Sequence, residues 1–183
     1  MIYPIVVAGS PVLRKKAEEI DKNYPDLNRI IANMFETMET AEGVGLAAPQ
    51  VGLSIRLFVI DASPFADENP DLKDFRKVFI NPRIIEESGE EWYFNEGCLS
   101  VPGLREDVLR KSNVRITYFD ENWQQHDETF SGIAARIIQH EYDHLEGILF
   151  TDRVSSLKKQ LIKRKLIDIS KGNVTVKYKI KTK

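Results

Sequence analysis

Two histidines four residues apart are the side chains with the clearest capacity for chemistry. His140 and His144 lie in the segment 139–144, with Glu141 beside the first of them. If this segment is helical, both imidazoles project from one face and can bind the same metal ion. The neighbouring carboxylate can then act on a water molecule at the metal without binding the metal itself. The spacing predicts a metal-dependent hydrolase, against the alternative of a core helix with two hydrogen-bonded histidines.

A histidine pair needs a third ligand, and Cys98 is the best candidate. It is the only cysteine of the chain and lies in the turn-rich segment 95–103. A lone cysteine is most often a small buried apolar residue, but its thiolate is also a strong metal ligand. Thermolysin-like peptidases take a later Glu or His as third ligand, and here only Glu146, two residues past His144, is available. The sequence therefore argues against a conventional zinc peptidase.

The segment 131–150 has the features of the helix that would position both histidines. Ser131 can cap its start, and Gly147 can end it. Apolar residues cover much of the helix circumference, which is typical of a buried helix. The residues that form its two apolar strips are Ile133, Ala134, Ile137, Ile138, Leu145 and Leu149.

The rest of the chain predicts a fold of the α+β class, with the metal-binding helix packed centrally against antiparallel sheets. A helix near the start, over 25–42, and another from about Asp152 or Ser155 to Gly172 flank it, and a short strand follows the last helix. Val154, Leu157, Leu161, Ile162, Leu166 and Ile169 are its predicted packing face. Strands are predicted over 2–8, 55–61, 78–80, 83–87, 108–120, 125–130 and 173–181.

Length and composition favour a single domain over 1–183, since 42% apolar content in 183 residues suits one well-formed core. No apolar stretch reaches membrane-spanning length, the chain start lacks a secretory leader, and a single cysteine fits a reducing compartment. We therefore expect a cytoplasmic protein without a membrane partner.

Charge is distributed unevenly along the chain. From Arg153 onward eleven Lys and Arg oppose the single acid Asp168, which gives this part +10 and the first 152 residues −12. Such a basic segment is either solvated surface or a dock for a polyanion such as RNA. Nothing in the main body indicates specific nucleic-acid readout.

The glycine-rich loop 43–52 is ambiguous by itself. Glycines let a ligand approach the backbone closely, but the loop could also be a plain helix-to-strand connection with Gln50 as an exposed amide. Together with 96–100 and 139–144, however, this loop resembles the three signature motifs of the peptide deformylase family, complete and in the family's order. The resemblance extends over nearly the whole chain.

The resemblance implies removal of the formyl group from the N-terminal formyl-methionine of new polypeptides, with release of formate. It implies one divalent metal ion per chain, with Fe²⁺ expected and Zn²⁺, Ni²⁺ or Co²⁺ able to substitute. N-formylmethionyl peptides would be the substrates, and the basic C-terminal segment could contact the ribosome from which they emerge. The implied metal ligands are Cys98, His140 and His144.

The resemblance also assigns roles to other side chains. Glu141 would take a proton from water and pass it to the leaving amine, while the Gln50 amide and the Leu99 N–H would stabilise the developing oxyanion. The peptide would lie extended beside a strand near Val44 and Gly45. Its methionine side chain would enter a pocket formed by Val44, Ile133, Ile137 and His140. Arg105 would lie near the peptide's exit, and Gly97 completes the set of substrate-binding residues. Arg136 falls among the pocket residues, where an apolar residue is expected; on a helix its side chain can point away from the pocket.

Two other functions remain open on the residues alone. A general metallopeptidase would cleave internal peptide bonds and would not depend on Cys98. A structural metal site would need a fourth protein ligand, for which only His126 is available. His126 lies in a polar strand, where we expect a surface residue.

Overall fold

A computed structural model describes all residues from 1 to 183 and contains three α-helices and seven β-strands, which confirms the predicted α+β class. No helix combines the length and the apolar character needed to cross a membrane. The helices are α1 (Leu27–Thr40), α2 (Gly132–Leu145) and α3 (Ser156–Ser170). The strands are β1 (Ile5–Val6), β2 (Gly45–Ala47), β3 (Leu57–Asp61), β4 (Arg76–Gly97), β5 (Arg105–Phe119), β6 (Gln125–Ser131) and β7 (Ile180–Lys181).

Five strands form one antiparallel sheet in the order β2–β3–β4–β5–β6. The long hairpin of β4 and β5 dominates it, with a register that runs from Ile80 opposite Phe119 to Gly97 opposite Arg105. β2 lies at one edge and pairs only with β3. One side of this short strand is therefore free to pair with another extended chain.

β2 and most of β3 are buried on both faces, because helices cover both sides of this part of the sheet. Phe58 and Ile60 of β3 belong to the cluster that contains the α2 residues Ile138 and Leu145. The alternate β3 residues Leu57 and Val59 pack with α1, through residues such as Met34 and Met38. The period-two alternation of a strand explains this division. The helix that carries the histidines is thus held against the sheet by a dry core.

A second sheet contains only β1 and β7, which pair in parallel. The predicted strands 2–8 and 173–181 were therefore too long, since only Ile5–Val6 and Ile180–Lys181 form ladder pairs. The predicted packing face of α3 was partly wrong as well. Ile162 and Ile169 are buried, but Leu157 and Leu161 are each 67% exposed.

The largest difference from the sequence prediction is β4, which is one strand where two were predicted. Asn81, before Pro82, has a left-handed φ of 49°, and the ladder shifts register there. The Asn81 side chain compensates by bonding to both backbone groups of Ile20, at 3.0 Å and 2.7 Å. The strand then continues to Gly97, the residue before Cys98.

Candidate metal centre

The three predicted metal ligands come together. One ligand atom each from Cys98, His140 and His144 lies within 4.8 Å of the others, and the Cys98 Sγ is 3.4 Å from the His144 Nε2. α2 presents both imidazoles on one face, and the end of β4 brings the thiol to them from the sheet. Thiolate and imidazole are established ligands of divalent transition metals, so the donor set fits the cofactor that the sequence implied.

Glu96 fixes the orientation of His140. Its Oε1 lies 2.7 Å from the His140 Nδ1, which leaves the Nε2 of that ring for the ligand cluster. Arg110 binds both Glu96 oxygens, at 2.8 Å and 3.0 Å. Burial alone would raise the pKa of Glu96, but the bonds and charges of His140 and Arg110 outweigh burial and hold that pKa well below its usual range. A charged carboxylate behind a ligating histidine is the arrangement that supports metal binding.

Asp143, on α2, extends the hydrogen-bond network of Glu96 and Arg110 to Arg153. Arg110 donates to its Oδ2 at 2.8 Å, and Arg153 donates to both of its oxygens at 2.6 Å. Sequence reasoning missed the roles of Glu96, Arg110 and Asp143. A usable signal existed, because Glu96 and Asp143 are acidic residues inside the two motifs that carry the ligands.

Arg136 does not point away from the pocket, although a residue on a helix could. Its side chain is buried and lines the cavity in front of the metal ligands. The guanidinium donates to Glu96 at 2.8 Å and to the carbonyl oxygens of Val108 and Trp92 at 2.9 Å and 2.7 Å. It also stacks over the Trp92 ring at 4.7 Å. The ion pair and these carbonyl acceptors explain how an arginine is accommodated at an otherwise apolar position.

Glu141 is the one buried carboxylate of the site without a positive partner. Its Oε2 makes no hydrogen bond. Burial raises the pKa of Glu141 to about 7. The side chain packs so closely on β2 that a Cβ at Gly45 would overlap the carboxylate, which explains the glycine there. At neutral pH such a group can both accept and donate a proton.

Gln50 is buried, in contrast to the exposed amide that its loop suggested before the resemblance was considered. Its Oε1 accepts from the Ala47 N–H at 2.8 Å, which sets the direction of the amide. The Nε2 then lies 3.5 Å from the Cys98 Sγ and 3.2 Å from the Ser100 Oγ. The nearby Leu99 N–H makes no hydrogen bond within the protein. Both donors thus adjoin the ligand cluster.

A cavity of about 620 Å³ opens in front of these groups. Arg105, whose guanidinium is held by the Asn95 side chain and carbonyl oxygen at 2.9 Å and 2.6 Å, lies at its wall. Ile133 does not line the cavity and instead packs against the core on the sheet side of α2. The predicted site residues that line it are Val44, Gly45, Gln50, Gly97, Cys98, Leu99, Arg105, Ile137, His140 and Glu141.

His126 is not part of the ligand cluster. Its Nε2 lies 2.7 Å from the Asp120 Oδ2, and its ring stacks on Tyr118 with 5.0 Å between centroids. The cluster therefore has three protein ligands, the number found in catalytic rather than structural zinc sites.

Comparisons with known proteins agree with this geometry. The sequence profile of the family described as Polypeptide deformylase matches residues 2–160. A peptide deformylase of Christiangramia forsetii is 62% identical over 188 residues, covering 99% of this chain and 96% of its own length. One from Cytophaga hutchinsonii is 58% identical over 181 residues, covering 99% and 97%. The crystal structure of peptide deformylase from Thermus thermophilus superposes with a TM-score of 0.83 at 38% identity, covering 94% of this chain and all of the other. The chain therefore belongs to the polypeptide deformylase family.

Proposed function

We propose that this chain hydrolyses the formyl group from the N-terminal formyl-methionine of newly synthesised polypeptides, and that residues 1–183 form one catalytic domain. Metal-dependent deformylation is the activity of the family to which the chain belongs. The observation that supports it best is the buried, unpaired Glu141 beside a cluster of three metal ligands. Water adds to the formyl carbon, the C–N bond breaks, and formate and a free amine are released.

Cys98, His140 and His144 would hold one divalent metal ion, with Fe²⁺ as the proposed physiological ion and Zn²⁺, Ni²⁺ or Co²⁺ as substitutes. The bound ion supplies Lewis acidity toward water and toward the formyl oxygen. A mixed thiolate and imidazole site suits several of these metals. The thiol also makes an iron-loaded site sensitive to oxidation, so the protein should be prepared without oxygen.

Glu141 would move the proton. With a pKa of about 7 it can accept a proton from the attacking water and return it to the leaving amine, whereas an ordinary exposed carboxylate is too weak a base. The Gln50 amide and the Leu99 N–H would donate to the formyl oxygen as negative charge develops on it. Donors that are already in position stabilise that charge without reorganisation.

The free edge of β2 provides a place for the substrate backbone. An extended peptide can add beside Val44 and Gly45 through main-chain hydrogen bonds, which do not depend on the peptide's side chains. The methionine side chain would occupy the apolar wall formed by Val44, Ile137 and the His140 ring, with Ile133 packed behind this wall. Gly97 and Arg105 would border the path of the residues that follow.

A general peptidase and a structural metal site are both less well supported. Three ligands leave a coordination position open, and His126, the only possible fourth ligand, is bonded to Asp120 instead. Cys98 as third ligand also differs from the Glu or His of thermolysin-like peptidases.

The basic segment from Arg153 onward would bring the enzyme to the ribosome in the cytoplasm. The lysines along α3 are exposed, and so are Leu157 and Leu161. This positively charged surface suits a polyanion, and the two leucines could contact apolar groups on the same partner. Replacing Lys159 and Lys163 with Glu should weaken cosedimentation with ribosomes, while Lys→Arg at the same positions should not. Unchanged cosedimentation of the Glu variant would refute this contact.

The decisive assay is formate release from formyl-Met-Ala-Ser by anaerobically prepared protein, with Glu141→Gln measured alongside. We expect release by the parent and a loss of about two to four orders of magnitude in the variant, since a positioned acid–base contributes that much. Metal content should be one ion per chain in both. A metal-loaded parent that releases no formate would exclude the proposed reaction.

A further inference from the structure

The segment between α3 and β7 returns to the catalytic cavity. Val176, Lys177 and Tyr178 lie at the wall of the same cavity as the metal ligands. Backbone bonds anchor the end of this segment to the start of the chain, from the Ile5 N–H to the Lys179 oxygen at 2.8 Å and from the Val7 N–H to the Lys181 oxygen at 3.1 Å. Its position at the cavity is therefore built into the fold.

Tyr178 makes the one polar contact from this segment to the residues after the cysteine ligand. Its hydroxyl donates to the Leu99 carbonyl oxygen at 2.8 Å. The half-buried ring packs against the core cluster that contains α1. A tyrosine hydroxyl carries its proton at neutral pH, so this one can donate.

The carbonyl groups that follow β4 have different kinds of partner. The Cys98 oxygen accepts from the Val101 N–H at 2.9 Å, and the Ser100 oxygen accepts from the Ala8 N–H at 2.8 Å. Between them, the Leu99 oxygen has only the Tyr178 hydroxyl. Without that hydroxyl, the peptide group between Leu99 and Ser100 would lose the bond that limits its rotation. The Leu99 N–H belongs to the preceding peptide group, but the two groups share the Leu99 Cα. A shift of that atom after loss of the hydroxyl would move the N–H with it.

We propose that Tyr178 is a positioning residue that holds the Leu99 carbonyl, thereby fixes the Leu99 Cα, and so keeps the Leu99 N–H in place beside the developing oxyanion. The inference rests on the function proposed for Leu99 above. Oxyanion stabilisation depends on donors fixed before the reaction, and a donor that swings by a few tenths of an ångström loses part of its effect. The segment between α3 and β7 thus supports the catalytic geometry through its hydrogen bond to the Leu99 backbone.

The test is Tyr178→Phe, which keeps the ring and removes only the hydroxyl. We expect kcat for formyl-Met-Ala-Ser to fall about threefold to tenfold, which corresponds to the loss of one neutral hydrogen bond, with KM changed less than twofold. Tyr93→Phe, at an exposed tyrosine of β4, is the matched control and should leave both constants unchanged.

A second measurement separates positioning from a general loosening of the fold. In the zinc-loaded enzyme, ¹⁵N relaxation dispersion should show new exchange at the Leu99 and Ser100 amides of Tyr178→Phe and none in Tyr93→Phe. Unchanged kcat and no new exchange at these amides would overturn the inference while leaving the deformylase function intact. A parent enzyme without formate release would overturn both.

Discussion

The two sides of the metal cluster are built in opposite ways. Behind it, the acids Glu96 and Asp143 are buried and paired with Arg110 or Arg153 at 2.6–3.0 Å. In front of it, one Glu141 oxygen and the Leu99 N–H have no partner within the protein. A buried polar group left unpaired costs stability, so the Glu141 carboxylate is held in place at a cost.

This difference separates two tasks. The paired charges behind the cluster orient His140 and α2, which a metal site needs whether or not substrate is present. The unpaired groups in front are available to the substrate because nothing in the protein satisfies them. Substitutions in front should therefore change the rate, and substitutions behind should change metal binding.

Gln50→Ala should lower the rate strongly without loss of metal. Loss of one oxyanion donor lowers kcat by about two to three orders of magnitude, while the three metal ligands stay in place. Steady-state formate release and metal analysis of the same samples measure both properties, with the exposed Gln160→Ala as control. Loss of metal along with activity would contradict the division between residues in front, which set the rate, and residues behind, which support metal binding.

Glu141→Gln should stabilise the metal-free protein even though it strongly lowers activity. The folded-state pKa is raised from 4.5 to about 7, so ionisation of this carboxyl opposes folding increasingly from pH 4.5 to 7 and by a constant amount above. The variant should be about 3 kcal/mol more stable than the parent at pH 8, and the gain should shrink to about 1 kcal/mol at pH 5.

Urea unfolding of the metal-free proteins at these two pH values measures the difference. Glu121→Gln, on an exposed turn, reports what the same substitution does at the surface. Equal stabilities of parent and Glu141→Gln at pH 8 would mean that the front carboxylate is not a costly group.

Glu96→Gln should weaken metal binding by about tenfold to a hundredfold, because the amide is a poorer acceptor for the His140 ring and carries no charge for Arg110 and Arg136. Competition with a Zn²⁺ chelator gives the affinity, and circular dichroism verifies that the variant is folded. Glu91→Gln, on an exposed part of the same strand, serves as control. An unchanged affinity would show that the back network is dispensable for the metal.

His126→Ala should have the smallest effect, because His126 belongs to neither side. Metal affinity and formate release should match the parent, and loss of the partly exposed pair with Asp120 should cost at most about 1 kcal/mol of stability. A drop in metal content would support the alternative hypothesis of a structural metal site with His126 as fourth ligand.

Local sequence predicted the ligand cluster because each ligand lies in a short motif. The four-residue spacing of the histidines and the lone cysteine in 96–100 can be recognised without knowing the fold. Local sequence did not predict the back network, since Glu96, Arg110 and Asp143 meet only through the β4–β5 register and the packing of α2. Arg136 was misplaced for the same reason. Its acceptors, the Trp92 and Val108 carbonyls, come from two strands that lie far from it in sequence.

The fold class was predictable from helical and alternating patterns, but strand limits and buried faces were less so. Pro82 correctly marked a break in the pattern. The strand nevertheless resumes its pairing with β5 at Arg83, and the Asn81 side chain supports the break through its hydrogen bonds to the Ile20 backbone. On α3 the apolar residues cover more than one face, and only packing selected Ile162 and Ile169 over Leu157 and Leu161.

The parallel pairing of β1 with β7 has a consequence for biogenesis. These strands lie at opposite ends of the sequence, so their contacts have almost the largest separation the chain allows and close late in folding. During synthesis, most of the sheet and α2 can assemble before Tyr178 and β7 leave the ribosome. A freshly translated copy of the enzyme would thus hold its metal ligands together before the segment with Tyr178 docks, and reach full activity only after that segment has docked.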